Sequence, residues 1–204
     1  MTDYSPGPVL PPETERRLVE GARRGDQEAM GLLYDAYLPK LYRYCVGRLR
    51  NETEAEDLTE DIFVKVLRGI GGVEWRTADS GGSIPFGAWL FRIARNELVS
   101  YQRRVSRSGN PVELSESIED GQRGPAELTE TKMSIEEVFA AVRELPEAQR
   151  EVILLRFASG LSVAETAEAL QKQQTNVKVL QHKGVRRLRE LLVERPQITG
   201  HMTS

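Results

Sequence analysis

The segment WLFRIARNELVSYQRR, residues 89–104, sets Arg92, Arg95, Asn96, Arg103 and Arg104 on the outer turns of an amphipathic helix, with Tyr101 among them. Guanidinium groups at helical spacing hold phosphates, and an interleaved aromatic ring stacks on an unpaired base. Trp75, in the glycine-rich segment just before, is either a second ring for stacking or a core residue; Trp89 fits the inner stripe of its helix. A second constellation is SVAETAEALQKQQTNVKVLQHKGVRRLREL, residues 162–191. It reads as two helices joined by a short polar turn. Gln173, Gln174, Thr175, Asn176 and Lys178 open the second helix with groups that reach base edges in a major groove. Gln and Asn suit adenine, and Lys suits guanine or phosphate. Lys183, Arg186 and Arg187 follow where phosphates would lie. On the residues alone, a solvated basic helix on an ordinary bundle stays open beside the DNA-reading helix.

A third stretch, TEAEDLTEDIFVKVLRG, residues 53–69, carries Glu54, Glu56, Asp57, Glu60 and Asp61 with neither His nor Cys. Carboxylates on an exposed helix face, without a cleft or a third group to hold substrate, make a poor catalytic site. The stretch is a solvated acidic face or a docking surface for a basic protein, with Phe63 and Val66 as apolar anchors.

Charge is distributed unevenly. The chain of 204 residues has a net charge of −3, which opposes indiscriminate binding along a polyanion. Residues 92–107 are nevertheless net +4, residues 108–137 net −6 and residues 171–195 net +5. Cys45 is alone and the two His are far apart, so neither an internal disulfide nor metal-ligand spacing is present. No apolar run approaches the ~18 residues that span a bilayer, and the N-terminal residues lack the basic-then-apolar pattern of a signal peptide. A cytoplasmic protein without cofactor or catalytic site is expected.

The elements that position these residues are all helical. Residues 1–11, rich in Pro and Gly, read as a disordered tail. A short helix is predicted from Pro12 to Arg24, stopped at Gly25. Asp26 then caps a long helix with inner positions Met30, Leu33, Tyr37, Leu41, Tyr44 and Cys45. Pro39 should bend that helix or divide it. Thr53 with Glu56 fits a capping box, and Pro85 suits the first turn of the arginine-bearing helix. Residues 12–105 thus form one helical domain. Residues 106–132 read as an acidic, extended linker. Ser134 with Glu137 and Ser162 with Glu165 are further capping boxes, Pro146 opens another helix that stops at Gly160, and Thr175 can cap the last. Residues 133–194 form a second, four-helix domain, and residues 195–204 a tail.

These pieces, in this order, resemble a bacterial RNA polymerase sigma factor of the extracytoplasmic-function (ECF) group. AEDLTEDIFVKVL is similar to the family's core-polymerase-binding helix and AWLFRIARNELVSYQRR to its −10-element helix. LPEAQREVILLRF with LSVAETAEAL is similar to its −35-binding domain, and NVKVLQHKGVRRLREL to the end of its recognition helix. The resemblance implies that Asp57, Glu60, Asp61, Phe63 and Val66 face a coiled coil of the β′ subunit. It implies that Trp75, Arg92, Arg95, Asn96, Tyr101, Arg103 and Arg104 serve the melted −10 strand, with the 71–84 loop pocketing a flipped base. Gln173, Gln174, Thr175, Asn176, Lys178, Val179, His182, Lys183, Arg186 and Arg187 would serve the −35 duplex, with the second domain docked on the β flap. The acidic linker would thread a basic polymerase channel. An anti-sigma factor is expected by family analogy alone.

The chain departs from the family's pattern at Ser100, Glu60, Thr175, Val179 and Leu180. The last three lie where the recognition helix meets DNA, so the family's −35 sequence does not carry over. The competing readings are a stand-alone helix-turn-helix regulator that binds a duplex operator without polymerase, and a helical scaffold that touches no nucleic acid. The first would leave the acidic 53–69 helix and the 92–104 arginines without a role.

Overall fold

The computed structural model describes residues 10–72, 85–107 and 134–194. Among these residues every regular element is helical. Helix α1 spans Pro12–Arg23, and Gly25 follows at φ +87°, a conformation that favours glycine. Asp26 then caps α2, Gln27–Arg48, its carboxylate accepting from the Glu28 and Ala29 amides. Pro39 lies inside α2 without ending it. The carbonyl it leaves unbonded belongs to Asp35, an exposed residue where water is at hand. Helix α3 spans Glu52–Gly69. Its cap is Asn51, not Thr53: the Asn51 side chain accepts from the Glu54 amide at 3.3 Å. The helix therefore begins earlier than the Thr53–Glu56 box predicts, and Thr53 already lies in its first turn. A short 3-10 turn, Ile70–Gly72, closes it. Helix α4 spans Phe86–Arg107.

The first core lies among these four helices. Leu33, Leu41, Tyr44 and Cys45 of α2 meet Ile62, Phe63 and Val66 of α3 and Phe86, Leu90, Phe91, Ala94 and Leu98 of α4, all fully buried or nearly so. Edge-on ring pairs lock the seams: Tyr34 with Phe63 at 4.8 Å, Tyr37 with Phe86 at 5.1 Å and Tyr44 with Phe91 at 5.5 Å.

The second half holds α5, Ile135–Arg143, and α6, Glu147–Ile153, which continues as a π-turn over Leu154–Ala158. Then come α7, Val163–Leu170, and α8, Gln174–Glu194. The two capping boxes are present as expected, Ser134 with Glu137 and Ser162 with Glu165. The helix opened by Pro146 does not stay α-helical to its stop. The π-turn intervenes, with the Ser159 amide donating to Leu154 O, and Gly160 ends it at φ +74°. Phe139, Val142, Leu145, Val152, Ile153, Leu155, Leu161, Leu170 and Val177 build the core here.

The two halves pack directly on each other. Helix α7 lies against α4, while α5 and the π-turn lie against α2. Gly47 of α2 marks the closest approach: a Cβ there would stand 2.3 Å from Leu154 Cδ2. Residues 1–9 and 195–204 of the tails, the 73–84 loop with Trp75 and the expected linker from residue 108 on lie outside the described residues.

Candidate nucleic-acid and polymerase interfaces

Helices α7 and α8 are joined by three residues, Gln171–Gln173. Gln171 takes the left-handed conformation, φ 52°, and lets the Lys172 amide turn back onto Ala167 O at 2.8 Å. This six-to-one closure substitutes for the glycine more usual at such a cap. Gln173, not Thr175, stands at the start of α8: its carbonyl accepts the Val177 amide at 3.1 Å. Thr175 is thereby moved into the first turn, with its side chain exposed.

The orientation of α8 is set by Val177, fully buried, and by Gly184, where a Cβ would come within 2.9 Å of Ile153 Cγ1. Only glycine permits so close a crossing of α8 over α6. With that face inward, Gln173, Gln174, Thr175, Asn176, Lys178, Val179, His182, Lys183, Arg186 and Arg187 are all exposed. Val179 keeps 52% of its surface, an apolar side chain amid polar neighbours. Arg186 and Arg187 share Glu190, at 3.9 and 3.1 Å, in surface pairs of the kind that constrain a side chain little. Arg156 braces the unit from behind, donating to Gln181 Oε1 at 3.0 Å and to the Leu161 carbonyl.

On α4, Asn96, Arg103 and Arg104 are exposed, whereas Arg92, Arg95 and Tyr101 are half-buried. Tyr101 is held by α3: its hydroxyl donates to the Glu54 carboxylate. Burial first, and then Glu54, push its pKa up to about 12. Arg95 Nε lies 3.8 Å from Glu151 Oε2, across the seam between the two halves. Trp89 is partly buried and packs at 5.7 Å on Phe86, as its place in the inner stripe predicts.

On α3, Asp57, Glu60 and Asp61 are exposed as expected. Phe63 and Val66 are not available as anchors: they keep 2% and 0% of their surface. The inner stripe at 55, 58, 62, 63, 66 and 70 turns both into the core, and Val64, 43% exposed, is the apolar residue that faces outward beside the acids. One residue of shift is 100° of helix, enough to exchange a core residue for a surface one. Lys65 ties the edge of this face to Glu97 of α4.

The seam itself escapes sequence reasoning. Arg48, 6% exposed, lies with its Nη1 2.7 Å from Glu151 Oε1, and the Tyr44 hydroxyl donates to Glu151 Oε2 at 2.9 Å. Burial and the Glu151 charge together raise the Tyr44 pKa. Arg43 Nε donates to Ala158 O at 2.8 Å and Arg143 Nη1 to Val46 O at 3.1 Å. A signal was present: Arg48 continues the apolar period of Leu41, Tyr44 and Cys45, where a charge needs a buried partner.

The geometry therefore presents an exposed helix-turn-helix face, a basic helix and an acidic helix face. Comparison with known proteins gives them a common origin. Residues 33–108 match the family described as Sigma-70 region 2, and residues 135–188 match Sigma-70, region 4. Over 177 residues the chain is 40% identical to the ECF RNA polymerase sigma factor BldN of Streptomyces coelicolor, covering 86% of this chain and 64% of that one. It is 30% identical over 169 residues to the ECF RNA polymerase sigma factor SigX of Bacillus subtilis, covering 80% of this chain and 84% of the relative. Among solved structures, the sigma factor RpoE in complex with the anti-sigma factor NepR from Bartonella quintana superposes with a TM-score of 0.59 at 27% identity. It covers 81% of this chain and 97% of that one.

The chain belongs to the ECF RNA polymerase sigma factors, with sigma-70 regions 2 and 4. It directs RNA polymerase to promoter-specific initiation; the polymerase, not the sigma factor, catalyses RNA synthesis. Among the described residues no helix is long and apolar enough to cross a membrane.

Proposed function

We propose that the three faces divide promoter recognition as follows. The domain of residues 12–105 docks through Asp57, Glu60 and Asp61, with Val64 as the apolar contact, on the coiled coil of the polymerase β′ subunit. Arg92, Arg95, Asn96, Arg103 and Arg104 hold the melted −10 strand, with Trp75 and the ring of Tyr101 beside it. Melting costs a few kcal/mol per base step, and capture of the extruded base offsets that cost. The domain of residues 133–194 docks on the β flap and places α8 in the −35 major groove. There Gln173, Gln174, Thr175, Asn176 and Lys178 meet base edges, Val179 and His182 lie along the groove, and Lys183, Arg186 and Arg187 meet phosphates. The acidic residues 106–132 join the two through a basic channel of the polymerase. The protein works in the cytoplasm.

The observation that carries this reading is the orientation of α8. Val177 and Gly184 are turned wholly inward, so the ten polar, basic and apolar positions form one open face. Transcription with core polymerase over a promoter library tests it. Promoters sharing a −35 and a −10 motif should emerge, and Asn176→Ala should relax selection at one −35 position. Tight, specific operator binding by the protein alone, with no polymerase-dependent transcription, would instead identify a stand-alone regulator.

An anti-sigma partner is part of the proposal. Its support is that the related RpoE is held in a complex with the anti-sigma factor NepR. Co-purification of a specific inhibitor that abolishes transcription in vitro is the expected result.

A further inference from the structure

Val179 is the apolar exception on the open face of α8. It keeps 52% of its surface, whereas Val177, Leu180 and Val185 of the same helix are buried or packed on the core. Each residue turns an α-helix by about 100°. Val179 therefore stands about 200° from Val177, the buried anchor, and points almost directly away from the core. Thr175, His182 and Arg186 share this outermost ridge with it, and all three are exposed. When α8 lies in a groove, the ridge opposite its anchors reaches deepest, and Val179 is near the middle of that ridge.

Folding does not ask for valine here. A β-branched side chain at an exposed helix position forms helix less well than Ala, Lys or Arg would. Its isopropyl group meets water, and it has no hydrogen bond to offer a base or a phosphate. We propose that Val179 selects one thymine in the −35 element by contact with its C5-methyl group. This rests on the placing of α8 in the −35 major groove, and adds which base feature the centre of its face reads.

The chemistry of the groove floor carries the argument. Guanine presents two acceptors there, adenine an acceptor and a donor, and cytosine a donor; thymine alone adds an apolar group. An isopropyl group pressed on a polar edge strips water from that edge and returns no bond. Pressed on a methyl group, it removes two apolar surfaces from water together. The contact thus favours thymine and opposes the other bases at the same position.

Two further properties suit the role. Valine in a helix holds mainly one χ1 rotamer, so little freedom is lost on contact. Its depth is fixed as well: Val177 is fully buried, and at Gly184 a Cβ would come within 2.9 Å of Ile153 Cγ1, so α8 is seated without slack on α6. Asn176 and Lys183, three residues before Val179 and four after, lie on the same side of the helix and are exposed. They set an amide and a cation beside the methyl contact, so that adjoining polar edges and phosphates have partners.

The test uses the full-length chain with core polymerase on a promoter that it transcribes. Deoxyuridine replaces thymidine at each A·T pair of the −35 element in turn. The exchange removes the C5-methyl group and leaves every hydrogen-bonding group in place. One substitution should weaken promoter binding by about fourfold, as expected for the loss of one buried methyl group, and the others should be neutral. Val179→Ala leaves the core untouched. It should bind the unmodified promoter more weakly by a similar factor and should be indifferent to uracil at the sensitive pair, the non-additivity of a shared contact. Neutrality at every pair in the parent protein would overturn the proposal, as would a −35 element made only of G·C pairs. So would a sensitivity that persists undiminished in Val179→Ala, since another side chain or the deformability of the duplex would then read the methyl group. The placing of α8 is judged separately, by scrambling the whole −35 element. Initiation that survives scrambling would overturn that placing and the role of Val179 with it. Initiation that is lost on scrambling but blind to uracil would remove the role of Val179 alone.

Discussion

The two DNA-facing helices are built alike and displayed differently. Both are long and amphipathic, each with a buried apolar stripe opposite a basic one. On α8 the polar stripe is open from Gln173 to Arg187, and its ion pairs are local, to Glu190 on the same helix. On α4 Arg95 is paired with a carboxylate from the other domain, and Tyr101 is tied to Glu54. The difference follows from what each helix has behind it. Helix α8 lies across α6 at Gly184, and among the described residues its far side is exposed. Helix α4 is covered on one flank by α7, and Glu151 of α6 reaches Arg95 there. A duplex can be met by a surface that is always open, whereas a strand exposed only after melting is met by a surface that need not be.

The largest effect on this comparison should come from Gly184→Val. A side chain there meets Ile153 inside a packed core and must push α8 off α6. Overpacking of this kind costs about 1–3 kcal/mol, and α8 loses the orientation on which its open face depends. Chemical denaturation should show the second domain destabilised, and −35-dependent transcription should fall while binding of core polymerase persists. Retained −35 readout would mean that the depth of Val177 and Gly184 does not set the face.

Asn176→Ala ranks next. A side-chain amide that pairs with a base edge contributes about 1–3 kcal/mol of discrimination. The expected loss is roughly tenfold to a hundredfold at one promoter position, read by competition between single-base variants of the −35 element. A uniform loss across all variants would move Asn176 from base reading to backbone contact.

Cys45 supplies a check on the first core. It is fully buried, and burial pushes its thiol up to about 12. At pH 8 the native thiol is both inaccessible and protonated, so alkylation should follow global unfolding. Fast labelling of the native protein would show that the core beneath α2 opens locally.

How far this could be read from the chain alone depends on the kind of contact. Helical period and capping chemistry are local, and they placed both ends of α1 and the starts of α2, α5 and α7 within a residue or two. Where two caps compete, the chain does not say which acts. Asn51 captures the amide that would leave Thr53 in second place, and Gln173 starts α8 ahead of Thr175. The errors at Phe63 and Val66 are of another kind: a motif marked the right helix, but the face follows from the period, and the period already placed both residues inside. Phe91 stands three and seven residues before Ala94 and Leu98, on the buried face of α4, and it packs on Tyr44 of α2. The seam could be read on one side only: the period of α2 turns Arg48 inward but does not say what meets it. Arg48 and Glu151 are 103 positions apart, and nothing local to either residue names the other.

The smallest expected effect separates the two helices most cleanly. A cation that contacts a phosphate releases a condensed counterion, and its removal lowers the salt slope of binding by about one unit on duplex and about 0.7 on a single strand. Lys183 is exposed on α8. Lys183→Ala should therefore lower the slope for a −35 duplex in the free protein and in the holoenzyme alike. Arg95 shares Glu151 with the buried Arg48, at 3.8 Å against 2.7 Å. Arg95→Ala should therefore lower the slope on a −10 strand by less than the full reduction of about 0.7, because Glu151 competes for its guanidinium. A full reduction would place Arg95 wholly on the strand. The two helices would then differ in which nucleic acid they meet and not in how freely their cations meet it.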